Sequence, residues 1–427
     1  YLNDLKINSG NLELIVEQPW HCGQFQDGNS SIKILDSGNL VKEIPYLDTV
    51  GLFTREIDHA SHCIQEEQFE SALISHADTQ SNMLWLDKWR QELEIKCPYE
   101  SLDNSPIPAS KFYLMQKPQF KNTAIVGIEK NASRLALGCD NQTSSLHAFT
   151  MFDHFYGAGG RIFDTAYIYN NGKGDKYLGD WINSRNLEKD IIVIGKGAHT
   201  PQCEPQFIRP QIIESLERLN IQTLDIFCLH RDNQDIPVSE FMDALDEVKS
   251  EGLINLIGAS NWQLERFSEA RDYAQSNNKE PFTALSNNFS LAEMVDPVWP
   301  GCVGVNNEYI NYLIKNQVML FPWSSQARGF FIKKKEITSN EHFSNPSLEE
   351  EIRVWHNEKN LKRRAKCFEI AEQKNLQPIQ VALAYVVQRS SLIFPLIGPR
   401  TIFETNSSIE AVQINLSDQE MKDLSID

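Results

Sequence analysis

The sequence predicts an α/β protein built on a TIM (β/α)8 barrel and preceded by a smaller α+β segment. Three observations carry that expectation. Eight short apolar runs recur between residues 135 and 397, most of them separated by one helix-length stretch. That strand–helix rhythm is what a closed barrel requires. The residues able to do chemistry stand where those runs end. The first hundred residues follow another order, strands first and helices after, as α+β pieces do.

Composition narrows the class. The chain has 427 residues, 41% of them hydrophobic and 10% aromatic. These values suit soluble globular domains with real cores, and the length suits two domains. A formal charge of −18 argues against a nucleic-acid partner held through phosphates. No run approaches the roughly 18 apolar residues that a membrane helix needs. The eight cysteines are scattered and form no Cys-x-x-Cys pair. No metal site is therefore expected, and the thiols fit a reducing cytoplasm. The chain opens on Tyr1 without a signal-like start, which fits a sequence that begins upstream.

In residues 1–105, alternating runs at 12–16, 31–35 and 40–44 read as strands, with turns at Gln26–Ser30 and Asp36–Asn39 between them. Two amphipathic helices follow. One spans 54–68, with Phe53, Ile57, Ala60 and Ile64 on a face; the other spans 78–94, with Met83, Leu86, Trp89 and Leu93. Residues 106–124 are assigned to a linker, continuing the Pro-, Ser- and Asn-rich stretch that starts near Glu100. The barrel is expected over 125–427. Its strand runs are 135–138, 162–163, 191–194, 226–229, 256–259, 284–285, 318–321 and 392–397. Its helices are expected at 147–158, 174–183, 209–218, 238–251, 263–276, 307–316 and 361–388.

Barrel enzymes work at the C-terminal ends of their strands. Asp164 ends the second run, with Tyr169 in the loop behind it. Lys196 follows the third run, His230 the fourth, and Ser260-Asn261 the fifth. Each alone reads more simply as a packing tyrosine, a solvated lysine, a satisfied histidine or a turn-capping aspartate. Together at successive strand ends they point to one site. A phenol is a poor acid at neutral pH unless tuned, and an ammonium nearby lowers its pKa. Lys196 is expected to supply that charge, and Asp164 to keep Lys196 protonated. Tyr169 would then give a proton to a carbonyl oxygen as hydride reaches the carbon, with His230 orienting the carbonyl. The loops after the seventh and eighth runs carry Ser324, Gln326, Arg328, Gly398 and Arg400, side chains and flexible backbone suited to phosphate.

These motifs, Phe163-Asp-Thr-Ala-Tyr-Ile-Tyr169, Ile194-Gly-Lys196, Leu229-His230, Ile257-Gly-Ala-Ser-Asn-Trp262, Ser324-Ser-Gln-Ala-Arg-Gly-Phe330 and Ile397-Gly-Pro-Arg-Thr401, resemble the aldo-keto reductase superfamily in kind and order. The resemblance implies a carbonyl reductase using NADPH, with NADH as the alternative, and a tetrad of Asp164, Tyr169, Lys196 and His230. It also implies that Ser260 and Asn261 hold the nicotinamide carboxamide and that Trp323 stacks on the ring. Ser324, Gln326, Arg328, Gly398 and Arg400 would grip the pyrophosphate and adenosine end. Ser286 stands where the family often has Gln, and Asn406 and Ser408 align where it often has an acidic residue and Asn. The guanidinium fork of Arg400 suits a 2′-phosphate and leans towards NADPH. Insertions at 292–303 and 331–364 are expected to cover substrate and cofactor, with Trp299 and Trp355 as candidate substrate walls, while the Lys333–Lys335 run reads as a solvated face.

Gly51–His59, His62–Ile64 and above all Ser75–Arg90 closing on Cys97-Pro-Tyr-Glu100 resemble the C-terminal end of the glucose-fructose oxidoreductase/inositol dehydrogenase (Gfo/Idh/MocA) family. In that family the segment follows an NAD-binding Rossmann domain. No Gly-x-Gly-x-x-Gly follows a strand in this chain, so no separate hydride chemistry is expected from residues 1–100. That context is the ground for a sugar among the possible small-molecule carbonyl substrates, and it leaves an oligomer open. Two rival functions remain: a non-catalytic, nicotinamide-binding regulatory module, and a Schiff-base isomerase or aldolase acting through Lys196.

Overall fold

A computed structural model describes residues 4–17, 29–47, 53–95, 123–332 and 346–426. Most of the expected linker, the Lys333–Lys335 run, Cys22 and Cys97 lie outside the described residues. The chain divides into two compact units, Tyr1–Lys96 and Cys97–Asp427.

The first unit is a four-stranded antiparallel meander followed by two helices. Its strands are β1 (Leu5–Ser9), β2 (Leu12–Val16), β3 (Asn29–Asp36) and β4 (Asn39–Leu47), paired in chain order. β1 is one strand more than the sequence pattern yields. It pairs in register from Leu5–Val16 to Ser9–Leu12, across a turn in which Gly10 takes a φ of 62°. The helices are α1 (Thr54–Gln65) and α2 (His76–Glu92), the second opened by a reciprocal Ser75–Asp78 capping box. Within this unit the expected apolar helix faces are left uncovered. Met83, Leu86, Trp89 and Leu93 are all exposed, and α2 buries no residue.

The second unit is a parallel eight-stranded sheet that curls on itself. Its strands are β7 (Ala136–Gly138), β8 (Ile162–Asp164), β9 (Ile192–Gly197), β10 (Leu224–Leu229), β11 (Ile254–Ala259), β12 (Ala284–Leu285), β13 (Met319–Leu320) and β14 (Leu396–Ile397). β14 pairs with β7. The other edge is joined by Leu320 N–H to Leu392 O at 2.9 Å and Phe394 N–H to Leu320 O at 2.8 Å. The last apolar run thus pairs on both sides, with residues 392–394 against β13 and 396–397 against β7. A hairpin of β5 (Thr123–Ile125) and β6 (Ile128–Ala132) precedes β7. It packs Ile125, Ile128 and Ala132 on the inward-facing Ile162, Ile192, Ile194, Ile226 and Leu256. Gly127, at φ +87°, lies so close to Leu256 that a Cβ would come within 2.9 Å.

Helices α3 (Ser145–Gly157), α4 (Lys173–Arg185), α5 (Ile208–Leu219), α6 (Val238–Ser250), α7 (Leu264–Ser276) and α8 (Asn307–Lys315) cover the outward faces. After α9 (Pro346–Trp355), the helix expected over 361–388 is two: α10 (Glu358–Gln373) and α11 (Pro378–Gln388). Asn375 is left-handed at φ 54° and Pro378 opens α11, so the break has a backbone cause. α12 (Ile402–Ala411) and α13 (Asp418–Ser425) complete the unit.

Candidate active site

Three neighbouring strands deliver one cluster. β8, β9 and β10 lie side by side, with Asp164 opposite Ile194 and Lys196 opposite Cys228. Lys196 Nζ lies 2.5 Å from Asp164 Oδ1 and also donates to Oδ2. It donates to the Tyr169 hydroxyl at 3.2 Å. The Tyr169 and His230 rings meet edge-on with centroids 5.8 Å apart. The structure therefore brings together all four residues. Asp164, Lys196 and His230 are buried, and Tyr169 is half-buried at the mouth.

The loop bearing Tyr169 is braced from behind by residues that strand periodicity does not reveal. Thr165 donates to Asp175 at 2.6 Å, and Ser215 donates to the other Asp175 oxygen at 2.8 Å. Arg218 donates to the Tyr167 carbonyl at 2.9 Å. Only a buried aspartate in the first turn of α4 could have hinted at this brace.

The electrostatics correct one expectation. Desolvation raises the Tyr169 phenol above its ordinary value; Lys196 pulls it down but does not win, and Asp164 and Asp140 push with desolvation. Tyr169 is thus a protonated phenol, not a group tuned towards ionisation. Burial works against the Lys196 charge, yet Asp164 and Tyr169 hold its pKa above the usual lysine value. His230 is driven well below the usual histidine value, by burial first and then by Lys196, Arg231 and His199. It is neutral, and its buried Nδ1 has no partner.

The expected cofactor residues form an arc across the remaining strand ends. Ser260 Oγ donates to Ser286 O at 2.6 Å, and Asn261 Nδ2 donates to Ser260 Oγ at 3.0 Å. Asn261 is left-handed at φ 61°, and Asn287 Oδ1 fixes it by accepting its backbone N–H at 2.6 Å. Sequence reasoning missed Asn287, although three polar residues after the buried Ala284-Leu285 were a signal. Ser286 Oγ and Trp323 Nε1 are buried without partners, as fits groups that meet a polar cofactor edge. Ser324, Ala327, Arg328 and Gly329 all take positive φ, between 47° and 91°. Gln326 caps the short turn they form. Three of the loop's N–H groups are taken by its own carbonyls: Ala327 N–H donates to Ser324 O at 2.8 Å, Gly329 N–H to Gln326 O at 3.2 Å and Phe330 N–H to Ala327 O at 3.0 Å. Gly398 and Arg400 lie exposed between β14 and α12, whose N-cap Thr401 accepts from Glu404 N–H at 3.2 Å. Asn406 Oδ1 lies in hydrogen-bond contact with His154 Nε2 at 2.7 Å, and Ser408 donates back to Glu404 O at 2.9 Å. Both lie along α12 rather than at its open end.

Comparison with protein-family models matches residues 133–426 to the Aldo/keto reductase family. The chain belongs to the aldo/keto reductase family. A norsolorinic acid reductase of Aspergillus flavus is 24% identical over 306 residues, spanning 67% of this chain and 71% of that protein. An aryl-alcohol dehydrogenase [NADP(+)] of Phanerodontia chrysosporium is 25% identical over 302 residues, spanning 64% of this chain and 74% of that one. A thermostable aldo-keto reductase crystallised with epalrestat shares the fold at a TM-score of 0.54 and 18% identity, covering 71% of this chain and 98% of its own.

The described parts of the two expected insertions, after β12 and after β13, meet each other. The stretch after β12 is tied to α9 and α10: Val295 N–H donates to Val354 O at 2.9 Å, and Lys359 pairs with Glu293 at 3.0 Å. Trp299, 48% exposed, lies 6.2 Å from Trp323 between ring centroids. Arg328 sits over Trp299 at 5.2 Å and pairs with Glu350 of α9 at 2.6 Å. Trp355, expected as a substrate wall, is 1% exposed and belongs to the core. Its ring packs under α9 because that helix turns its apolar side inward. Among the described residues, no helix is long and apolar enough to cross a membrane.

Proposed function

We propose that this chain reversibly reduces an aldehyde or ketone with NADPH, Tyr169 giving the proton to the carbonyl oxygen. The observation that carries the reading is the Asp164–Lys196–Tyr169 chain beside His230. When bound, the cofactor supplies the hydride. Ser260, Asn261 and Ser286 would hold its carboxamide, Trp323 its ring face, and Ser324, Gln326, Arg328, Gly398 and Arg400 its phosphates, with NADH the alternative. The protonated phenol is ready to donate. Lys196, kept charged by Asp164, stabilises the phenolate left after donation. Neutral His230 has a ring nitrogen free to donate to the same oxygen and fix its direction. The names of the relatives support an aromatic carbonyl compound in preference to a sugar. We place the enzyme in the cytoplasm because the six cysteines among the described residues are buried and free. The dehydrogenase-like reading of residues 1–100 rests on the quoted motifs alone. No observation favours a non-catalytic module or a Schiff base, since a lysine clamped to a carboxylate stays charged and is a poor amine nucleophile.

The test follows nicotinamide absorbance with a panel of aryl aldehydes. Turnover supports the reading. Cofactor binding without turnover of any aldehyde or ketone would give the site to a binding module.

A further inference from the structure

Arg231 follows His230 at the end of β10 and is 7% exposed. Its guanidinium therefore carries a full charge into the protein. Nη1 donates to the His230 carbonyl oxygen at 3.0 Å, and Nη2 reaches only the Cys302 sulfur, at 3.7 Å. Nε is buried with no partner. Among the described residues no carboxylate pairs with it; the adjacent Asp232 is taken by Arg266 at 3.2 Å. A buried charge without a counter-charge is costly, and a carbonyl and a thiol offset little of that cost.

The place of this cation is informative. His199 stands ring to ring with His230 at 4.8 Å. Burial, before any other cause, lowers the pKa of both histidines, and the Arg231 charge acts in the same direction on each. Cys302 belongs to the same insertion as Trp299, and the next residue, Val303, donates its N–H to Asn261 Oδ1 at 3.2 Å. Arg231 thus sits where His230, the Ser260–Asn261 turn and the insertion meet. Nε and Nη2 form one edge of the guanidinium fork. That edge, one donor without a partner and the other held only by sulfur, has the spacing of a carboxylate's two oxygens. It is covered by Gly301 and Cys302, so this segment of the insertion shifts when a carboxylate takes the edge.

We propose that Arg231 binds a carboxylate borne by the carbonyl substrate, so that the preferred substrates are aldehydes or ketones that are also acids. This rests on the carbonyl-reductase reading above. The test compares pairs that differ only in the acid group: 3- and 4-formylbenzoate against benzaldehyde, and 4-oxobutanoate against butanal. In the wild type kcat/KM favours the acid of at least one pair by roughly tenfold or more, the range for a hydrogen bond to a charged group. In Arg231→Gln that acid-to-neutral ratio falls towards one, mainly through the KM of the acid. Arg231→Lys keeps the charge without the fork; it guards against a Gln variant that does not fold, and retains part of the preference. A wild-type ratio near one in every pair, or a ratio that survives loss of the guanidinium, overturns the proposal. Absence of turnover with every aldehyde would instead sink the reductase reading. In that case tryptophan-fluorescence titration with 4-formylbenzoate and benzaldehyde decides the role of Arg231 independently: tighter binding of the acid that Arg231→Gln removes supports it, and equal binding overturns it.

Discussion

Tyr169 sits under two opposed influences, and desolvation is the stronger. Its phenol lies above the ordinary value despite a lysine at 3.2 Å. Reduction needs the protonated phenol, and His230, shifted well below its ordinary range, does not change charge in the neutral region. The expected pH profile of kcat/KM for reduction is therefore level through neutral pH, declining only on the alkaline side of the ordinary phenol range. A neutral or acidic pKa governing the decline would contradict this assignment. Lys196→Met should lower kcat by roughly 100-fold or more, the scale of a general acid left without its support. It also strands Asp164 in the core, so a melting curve should show the loss of a buried pair, about 3–5 kcal/mol. At this scale residue types at strand ends pointed to the four groups that the structure brings together, while the register that sets their distances is seen only in the structure. What it could not give was the balance of desolvation against charge at Tyr169, because desolvation depends on every surrounding element.

The strand β8 shows how elements hold the site. Phe163 points away from the barrel interior and meets Phe152 and Phe155 edge-on at 5.6 Å each and Trp181 at 4.9 Å. Asp164, the next residue, is turned the other way by the period of two. Phe163→Ala should cost about 3–5 kcal/mol in denaturant unfolding. A cost near zero would mean that this aromatic layer does not anchor the strand. The helices that apolar spacing predicted around the barrel begin and end within a few residues of their expected bounds, since each lays one stripe on the sheet, whereas α9, α12 and α13 were not predicted. Two further features were not legible either. The gap between α10 and α11 is set by one left-handed asparagine and one proline inside an otherwise continuous apolar pattern. The β5–β6 hairpin is too short for periodicity to detect, although Val126-Gly127 between apolar residues is a turn signal.

At the scale of the whole molecule the chemistry belongs to the second unit, and the family match begins at residue 133. A chain beginning at Thr123 is expected to bind NADPH and to keep kcat/KM within a few-fold of the full chain in the same assay. A much larger loss would give the first unit a part in catalysis. The first unit follows the strand-then-helix order of its sequence, yet the apolar faces that spacing identified on its helices remain exposed. Apolar periodicity marks a surface able to be covered but does not say what covers it. Proton donation by Tyr169 is tested most directly by Tyr169→Phe, with turnover and NADPH binding measured on the same preparation. The substitution removes one oxygen, so cofactor affinity should hold within about twofold while kcat for aldehyde reduction falls roughly 100-fold or more. A Tyr169→Phe enzyme that reduces the aldehyde at close to the wild-type rate would contradict the account.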